Sequence, residues 1–265
     1  VTEGRAVRIL LVRPSHWSPD GHANFDAVEA ACAARPPRTG RDDVVLLPEL
    51  VGGRLSRPDY LARLRALAAG TGSTVVGGSH YDETGAATVN RGAVVDPAGT
   101  LLAEYGKRHP YGVEHRAGVR PGSAGDGFEL GGRRLHVLIC ADLWYSADLV
   151  RRRAAPIDVL LVPAFSVTQW PAPDPARLLW RHMSVARAYE FMMYVAVSDW
   201  HHEAAYDGQR CAGVTGVADP CPSVPGDYFT AGPQAPLWVR DLDFDRLDAF
   251  RADRTRRGFT HDRPP

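Results

Sequence analysis

Apolar positions recur along the chain with two periods, which sort it into strands and helices. Residues 6–13 alternate loosely and read as a first strand, and the short runs 43–49, 157–165 and 193–198 read as further strands. Three more strand-like segments, 73–80, 88–96 and 101–107, follow one another, and D-P-A-G turns the chain between the last two. Over 24–34, Phe25, Val28, Ala31 and Cys32 have helical spacing before Pro36 and Pro37 stop it. Ser56 and Asp59 form a capping box with Pro58 in the first turn, which predicts a helix through Leu61, Leu64 and Leu67 to Gly70. Asp174 as N-cap and Pro175 as first residue open a third helix that runs to about Phe191. Shorter helices are predicted over 146–154 and 244–250, and strands over 208–219 and 237–241. The segments 108–132 and 221–236, rich in Gly and Pro, read as loops, and the Arg-rich tail to Pro265 as a mobile or partner-docked arm. No repeat of fixed period is present, and 265 residues fit one large α/β domain covering 1–265.

The stretch that organises this pattern is 135–144, L-H-V-L-I-C-A-D-L-W, an apolar run ending on Cys140. A thiol at the exit of a buried strand sits where ligands usually reach an α/β sheet. V-V-L-L-P-E ends similarly on Glu49, and T-L-L-A-E-Y-G-K on Lys107. A nucleophile, a base and a cation therefore come from three strand ends. Lys107 is the sole lysine among 31 basic residues, the others being arginine. Either a strong coding bias left one lysine by chance, or the position needs a compact ammonium that a planar guanidinium does not replace.

Composition removes several function classes. A formal net charge of zero speaks against a general phosphate-backbone or anionic-membrane binder, so small molecules are the expected partners. Cys32, Cys140, Cys211 and Cys221 show no zinc-ligand spacing and are expected as free thiols. No run approaches the ~18 apolar residues of a membrane span, and the first strand is too short for a signal peptide, so a cytoplasmic protein is expected. His201, His202 and Glu203 suggest a metal cluster, but adjacent histidines on an extended segment point opposite ways. Neither a metal nor an organic cofactor is expected.

Five segments taken in order resemble the nitrilase superfamily, the carbon-nitrogen hydrolases: L-L-P-E-L around Glu49, N-R-G-A-V-V-D-P-A-G-T-L-L-A-E-Y-G-K-R-H around Lys107, V-L-I-C-A-D-L around Cys140, A-R-A-Y-E-F around Glu190, and G-V-T-G-V-A-D-P after Cys211. The resemblance implies a four-layer α-β-β-α sandwich that assembles as a homodimer or larger homo-oligomer. It also implies Cys140 as nucleophile, Glu49 as general base and acid, Lys107 as oxyanion stabiliser, and Glu114, in V-E-H-R, as a second glutamate that positions substrate and lysine. The backbone N–H of Ala141 is the natural second oxyanion donor. Trp144, Phe165, Trp170 and Trp200 line the substrate pocket or belong to the core. Trp144 is the strongest pocket candidate, and Tyr111 in the long loop is a further one. Glu190 reads as a structural residue that bonds into the loop near the site.

The departures narrow the expectation. Trp144 stands where many relatives that act on free carboxylates place arginine, Y-S-A replaces the usual F-P-E, and Ala141-Asp142 differs from the Trp-Glu of true nitrilases. The C-A-D-L-W pattern is also similar to glutaminase domains attached to some synthetases. The expected activity is hydrolysis of a small linear amide through a cysteine thioester. An acyl transferase using the same thioester and a catalytically silent binding or assembly module are the alternatives.

Overall fold

The computed structural model describes residues 7–34, 42–83, 87–152 and 156–259. The first half of the chain contains β1 (Val7–Val12), α1 (Gly21–Ala33), β2 (Asp42–Leu46), α2 (Arg57–Thr71), β3 (Thr74–Val76), β4 (His80–Asp82), β5 (Val89–Val95) and β6 (Leu101–Gly106). Next come α3 (Val113–Arg116), β7 (Phe128–Leu130), β8 (Arg133–Val137), a 3-10 turn (Cys140–Trp144), α4 (Ala147–Arg151), β9 (Val159–Pro163), β10 (Val167–Thr168) and α5 (Asp174–Phe191). The chain closes with β11 (Tyr194–Ser198), β12 (Ala205–Tyr206), β13 (Gln209–Cys211), β14 (Gly216–Ala218), β15 (Phe229–Ala231), β16 (Leu237–Asp241) and α6 (Phe244–Arg256).

Two mixed sheets form the middle layers. One runs β16-β1-β2-β3-β5-β4 with β6 beside β5, and the other runs β15-β14-β11-β9-β8-β7. The side chains of β1 alternate between two buried sides, so all its residues are apolar except Arg8, which pairs with buried Asp43 at 2.6 Å. Val7, Ile9 and Leu11 enter the core that joins the two sheets, whereas Leu10 and Val12 enter a second core with Phe25 and Val28 of α1 and Tyr60 and Leu64 of α2. On the other side, Trp180 and Ala188 of α5 pack against the second sheet. The layers are thus helix, sheet, sheet, helix, the α-β-β-α sandwich. A small three-stranded sheet, β10-β13-β12, stands apart from both. No helix among the described residues is long and apolar enough to cross a membrane.

Local chemistry explains where elements depart from the expected bounds. α1 begins at Gly21 rather than 24 because Asp20 caps it, accepting from the His22 N–H at 3.0 Å. Ser56 caps α2 as expected, but the helix passes Gly70 and stops at Gly72, which takes the left-handed conformation with φ of 58°. Segment 73–80 divides at Gly77-Gly78, and Gly78 has φ of 62°. Strand pairing stops at Leu46 and at Val137, short of Glu49 and Cys140. The loop over 108–132 holds α3 and β7, and the 221–236 segment holds β15. Segment 208–219 gives two strands in different sheets, β13 and β14, broken at Gly213 with φ of 70°. Pro173, not Asp174, occupies the cap of α5, with no side-chain bond there. α6 extends to Arg256, six residues beyond expectation, so part of the Arg-rich tail is helical, and 260–265 lies outside the described residues.

Gly78 carries a test of this architecture. A Cβ there would lie 2.0 Å from the Pro48 carbonyl oxygen, one residue before Glu49. Gly78→Ala is expected to lower unfolding free energy by on the order of 2–3 kcal/mol, read from urea titration. A loss below about 0.5 kcal/mol would show that this turn tolerates a side chain.

Candidate active site

Glu49 lies three residues past β2, on a turn that the surrounding backbone fixes. Its N–H donates to the Ala164 carbonyl at 3.2 Å, and its carbonyl accepts from Trp200 Nε1 at 2.7 Å. Trp200 is fully buried and does not line the cleft, so it belongs to the core alternative. Lys107 follows β6 directly. Arg91 pairs with Gly106 across β5 and β6, so the next neighbours are Asn90 and Lys107, and the Lys107 N–H donates to the Asn90 carbonyl at 2.8 Å. Glu114 sits in the single turn of α3.

These three elements bring their charged ends together out of water. Lys107 Nζ donates to Glu49 Oε1 at 2.7 Å and to Glu114 Oε2 at 2.5 Å. Asn90 Nδ2 ties the two carboxylates from the other side, at 2.9 Å to Glu49 Oε1 and 2.6 Å to Glu114 Oε1. Glu49, Lys107 and Glu114 are each at most 4% exposed. Both donors use Glu49 Oε1, and the Glu49 carboxyl and the Cys140 thiol lie within electrostatic reach of each other. Of the three N–H groups on Lys107, two are spent and one remains.

Cys140 opens the 3-10 turn with φ of 46°, a left-handed conformation unusual for a residue with a side chain. The turn lifts the thiol out of the direction of β8, and Sγ donates to the Phe165 carbonyl at 3.8 Å. Ala141 lies in the first turn, where N–H groups have no partner within the helix. Two clamps hold this turn. Asp142, 1% exposed, accepts from the backbone N–H of His109 at 2.9 Å and from its Nδ1 at 2.8 Å, and also from the Arg108 N–H. From α5, Arg187 donates to the carbonyls of Leu143 and Trp144 at 3.3 and 3.0 Å.

Electrostatics follow from burial. Desolvation pushes the Glu49 carboxyl up to about 7, against the pull of Lys107, and the charge of Glu114 adds to the rise. Burial pushes the Cys140 thiol well up as well, and the Glu49 charge reinforces it. Burial opposes the Lys107 charge, yet the two carboxylates hold its pKa well above the ordinary lysine value. The resting site therefore has a neutral thiol, a fixed ammonium and a carboxylate that titrates near neutrality.

The cluster lies in a cleft of about 870 Å³ that also reaches the other expected pocket residues. Ala141 and Phe165 are buried in its wall, Trp144 is half-buried with its ring 5.0 Å from Trp180, and Tyr111 and Trp170 stand exposed at its rim. Glu190 does not reach the site; it pairs with Arg187 at 3.5 Å, and Arg187 makes the loop contacts expected of Glu190. Arg116 pairs with Asp207, leaving Glu114 to the lysine. None of Cys32, Cys140, Cys211 and Cys221 forms a disulfide among the described residues. His201 and His202 do not diverge: their ring centroids are 4.0 Å apart because residues 201–204 form a turn, closed by the Ala204 N–H on the His201 carbonyl. Their ligand atoms and that of Glu203 lie within 4.8 Å of one another, outside the catalytic cleft. Sequence reading missed Asn90, although an asparagine inside an otherwise apolar strand is a signal in itself.

The model of the carbon-nitrogen hydrolase family matches residues 8–220. The chain belongs to the carbon-nitrogen hydrolase family. This carbon-nitrogen hydrolase is 31% identical to the omega-amidase YafV of Escherichia coli over 212 residues, 76% of each chain. Its fold matches Nit3 of Saccharomyces cerevisiae, a member of branch 10 of the nitrilase superfamily, with a TM-score of 0.78 at 19% identity over 94% of each chain. It also matches a mutant of the amidase from Nesterenkonia sp. AN1 that shows Michael addition of acrylamide at the active site cysteine, with a TM-score of 0.70 at 26% identity, covering 95% of this chain and 99% of that one.

Asn90 gives the prediction of this section. Asn90→Leu removes one donor from each carboxylate while keeping the volume. Losing a bond to the charged form raises a carboxyl pKa, so the pH at which Cys140 becomes reactive should move upward by about one unit, the equivalent of one charge-assisted hydrogen bond. The rate of Cys140 alkylation by iodoacetamide against pH measures it. An unmoved profile would show that Asn90 does not tune the cluster.

Proposed function

We propose that this carbon-nitrogen hydrolase is a thiol amidohydrolase that cleaves small linear amides through a cysteine thioester. The observation that carries the proposal is the convergence of Cys140, Glu49 and one unspent Lys107 N–H in a single cleft. The cysteine adduct of the Nesterenkonia amidase and the likeness to an omega-amidase support the same reading.

The resting thiol is protonated, so attack and proton transfer go together. As Sγ bonds to the amide carbon, the thiol proton passes to Glu49, and the carbonyl electrons move onto oxygen. The free Lys107 N–H and the Ala141 N–H receive that oxyanion. Glu49 then returns its proton to the nitrogen, the C–N bond breaks, and ammonia or an amine leaves behind a thioester. Water enters, gives a proton to Glu49 as it attacks, and the C–S bond breaks to release acid and regenerate the thiol. Glu114 and Asn90 keep Lys107 and Glu49 in place through both halves. A carboxyl near 7 suits this role, because the same group must accept and release a proton in each half.

Ammonia release from primary amides, N-carbamoyl compounds, secondary amides and nitriles tests the reading. Wild type should turn over amides in preference to nitriles, and Cys140→Ala should lose at least about a thousandfold; equal turnover by both proteins would exclude Cys140 as nucleophile. The pH dependence has a definite sign. Glu49 acts as base in its ionised form, so kcat/KM should rise with pH, climb about tenfold per unit below 7 and level above it. A profile flat from pH 5 to pH 8 would remove Glu49 as the base.

A further inference from the structure

One wall of the cleft carries polar atoms that this hydrolytic cycle does not use. Tyr81 of β4 and Tyr206 of β12, 125 residues apart, meet hydroxyl to hydroxyl at 2.9 Å, and both line the cleft. Their rings are fixed by apolar neighbours. Trp17 stands edge-on to Tyr206 at 4.9 Å, Phe165 lies 5.7 Å from Tyr206, and Tyr81 is 5% exposed. Burial raises the pKa of both phenols, and the charges of Glu114 and Glu49 contribute to each rise, which sets the hydroxyls within electrostatic reach of the catalytic carboxylates.

Two phenols bring two O–H donors, and their mutual bond consumes one. Among the described residues no hydrogen bond takes up the second. The lining also holds the apolar or aromatic Trp144, Trp180, Leu178 and Leu179, beside the polar Thr168, Gln169, His182 and Gln209. Apart from Lys107, the formally charged cation of the lining is Arg116, an exposed residue held by Asp207 at 3.4 Å. A fixed, unspent donor in a largely apolar pocket is the kind of group that orients a ligand. A neutral oxygen matches one phenolic O–H, whereas a carboxylate calls for a bidentate cation.

We propose that the Tyr81–Tyr206 hydroxyl pair is a substrate subsite that donates one hydrogen bond to a neutral carbonyl oxygen on the acyl chain of an amide whose scissile carbon sits at Cys140. The preferred substrates are then oxo-amides with an otherwise apolar chain. This rests on the amidohydrolase reading. A purely structural pair would instead only pin the β12–β13 hairpin to the first sheet.

Ammonia release from 2-, 3- and 4-oxopentanamide and from pentanamide separates these roles, measured in wild type, Tyr81→Phe, Tyr206→Phe and the double variant. At least one oxo-amide should exceed pentanamide in wild-type kcat/KM by about tenfold, the worth of one hydrogen bond, with the difference carried by KM. Either single Phe variant still offers one free O–H, so the double variant Tyr81→Phe/Tyr206→Phe should bring that ratio close to one. The ratio is taken within each protein, so partial unfolding of a variant does not affect it. A wild-type ratio near one for all three oxo-amides, or a ratio that survives both substitutions, overturns the subsite. Pentanamide turnover that disappears in Cys140→Ala upholds amide hydrolysis whichever way the ratio falls, whereas no turnover of any amide removes both readings.

Discussion

A lysine ammonium enclosed by protein persists only where opposite charge replaces the water it has lost. Lys107 meets that condition between Glu49 and Glu114, and the rest of the site depends on it. Loss of water, with the charge of Glu114 adding and that of Lys107 opposing, is why Glu49 titrates near neutrality rather than as an ordinary glutamate. Removing either carboxylate would leave the ammonium poorly compensated. The three loops that deliver these groups are therefore coupled: the backbone bonds of Glu49 to Ala164 and Trp200, and of Lys107 to Asn90, hold distances that long-range attraction alone would not fix.

Cys140 reaches this trio from the second sheet, so the cluster spans both halves of the sandwich. Asp142 joins the cysteine turn to the backbone just past the lysine, while Arg187 joins it to the outer helix α5. Apart from the Asp142 bond to the His109 ring, these contacts are to backbone atoms, which fix a chain path. The cleft floor is accordingly rigid and charged, whereas its rim, with exposed Tyr111 and Trp170, is made of groups freer to meet different acyl chains.

Much of this was legible in the sequence because Glu49, Lys107 and Cys140 each end an apolar run, and a reactive side chain at the end of a buried strand is a strong signal. The layers followed from the resemblance, and the apolar residues of β1 divide between the two cores. Asn90 was not legible, since its role comes from lying across from Lys107 in a neighbouring strand. Tyr81 and Tyr206 are further still, brought together only by tertiary packing. Strand limits failed where glycines at Gly78 and Gly213 redirect the backbone inside apolar sequence, which hydrophobic periodicity does not register. Glu190 misled because a short helical motif does not say which of its members, one turn apart, faces inward.

The backbone of Cys140 has a wider consequence. A left-handed conformation at a residue with a Cβ is disfavoured by roughly 1 kcal/mol relative to glycine, and the fold imposes it at the one position where glycine would abolish the thiol. Local backbone stability and the presence of the thiol are therefore opposed at this residue, and the packing around the turn has to supply what the conformation costs.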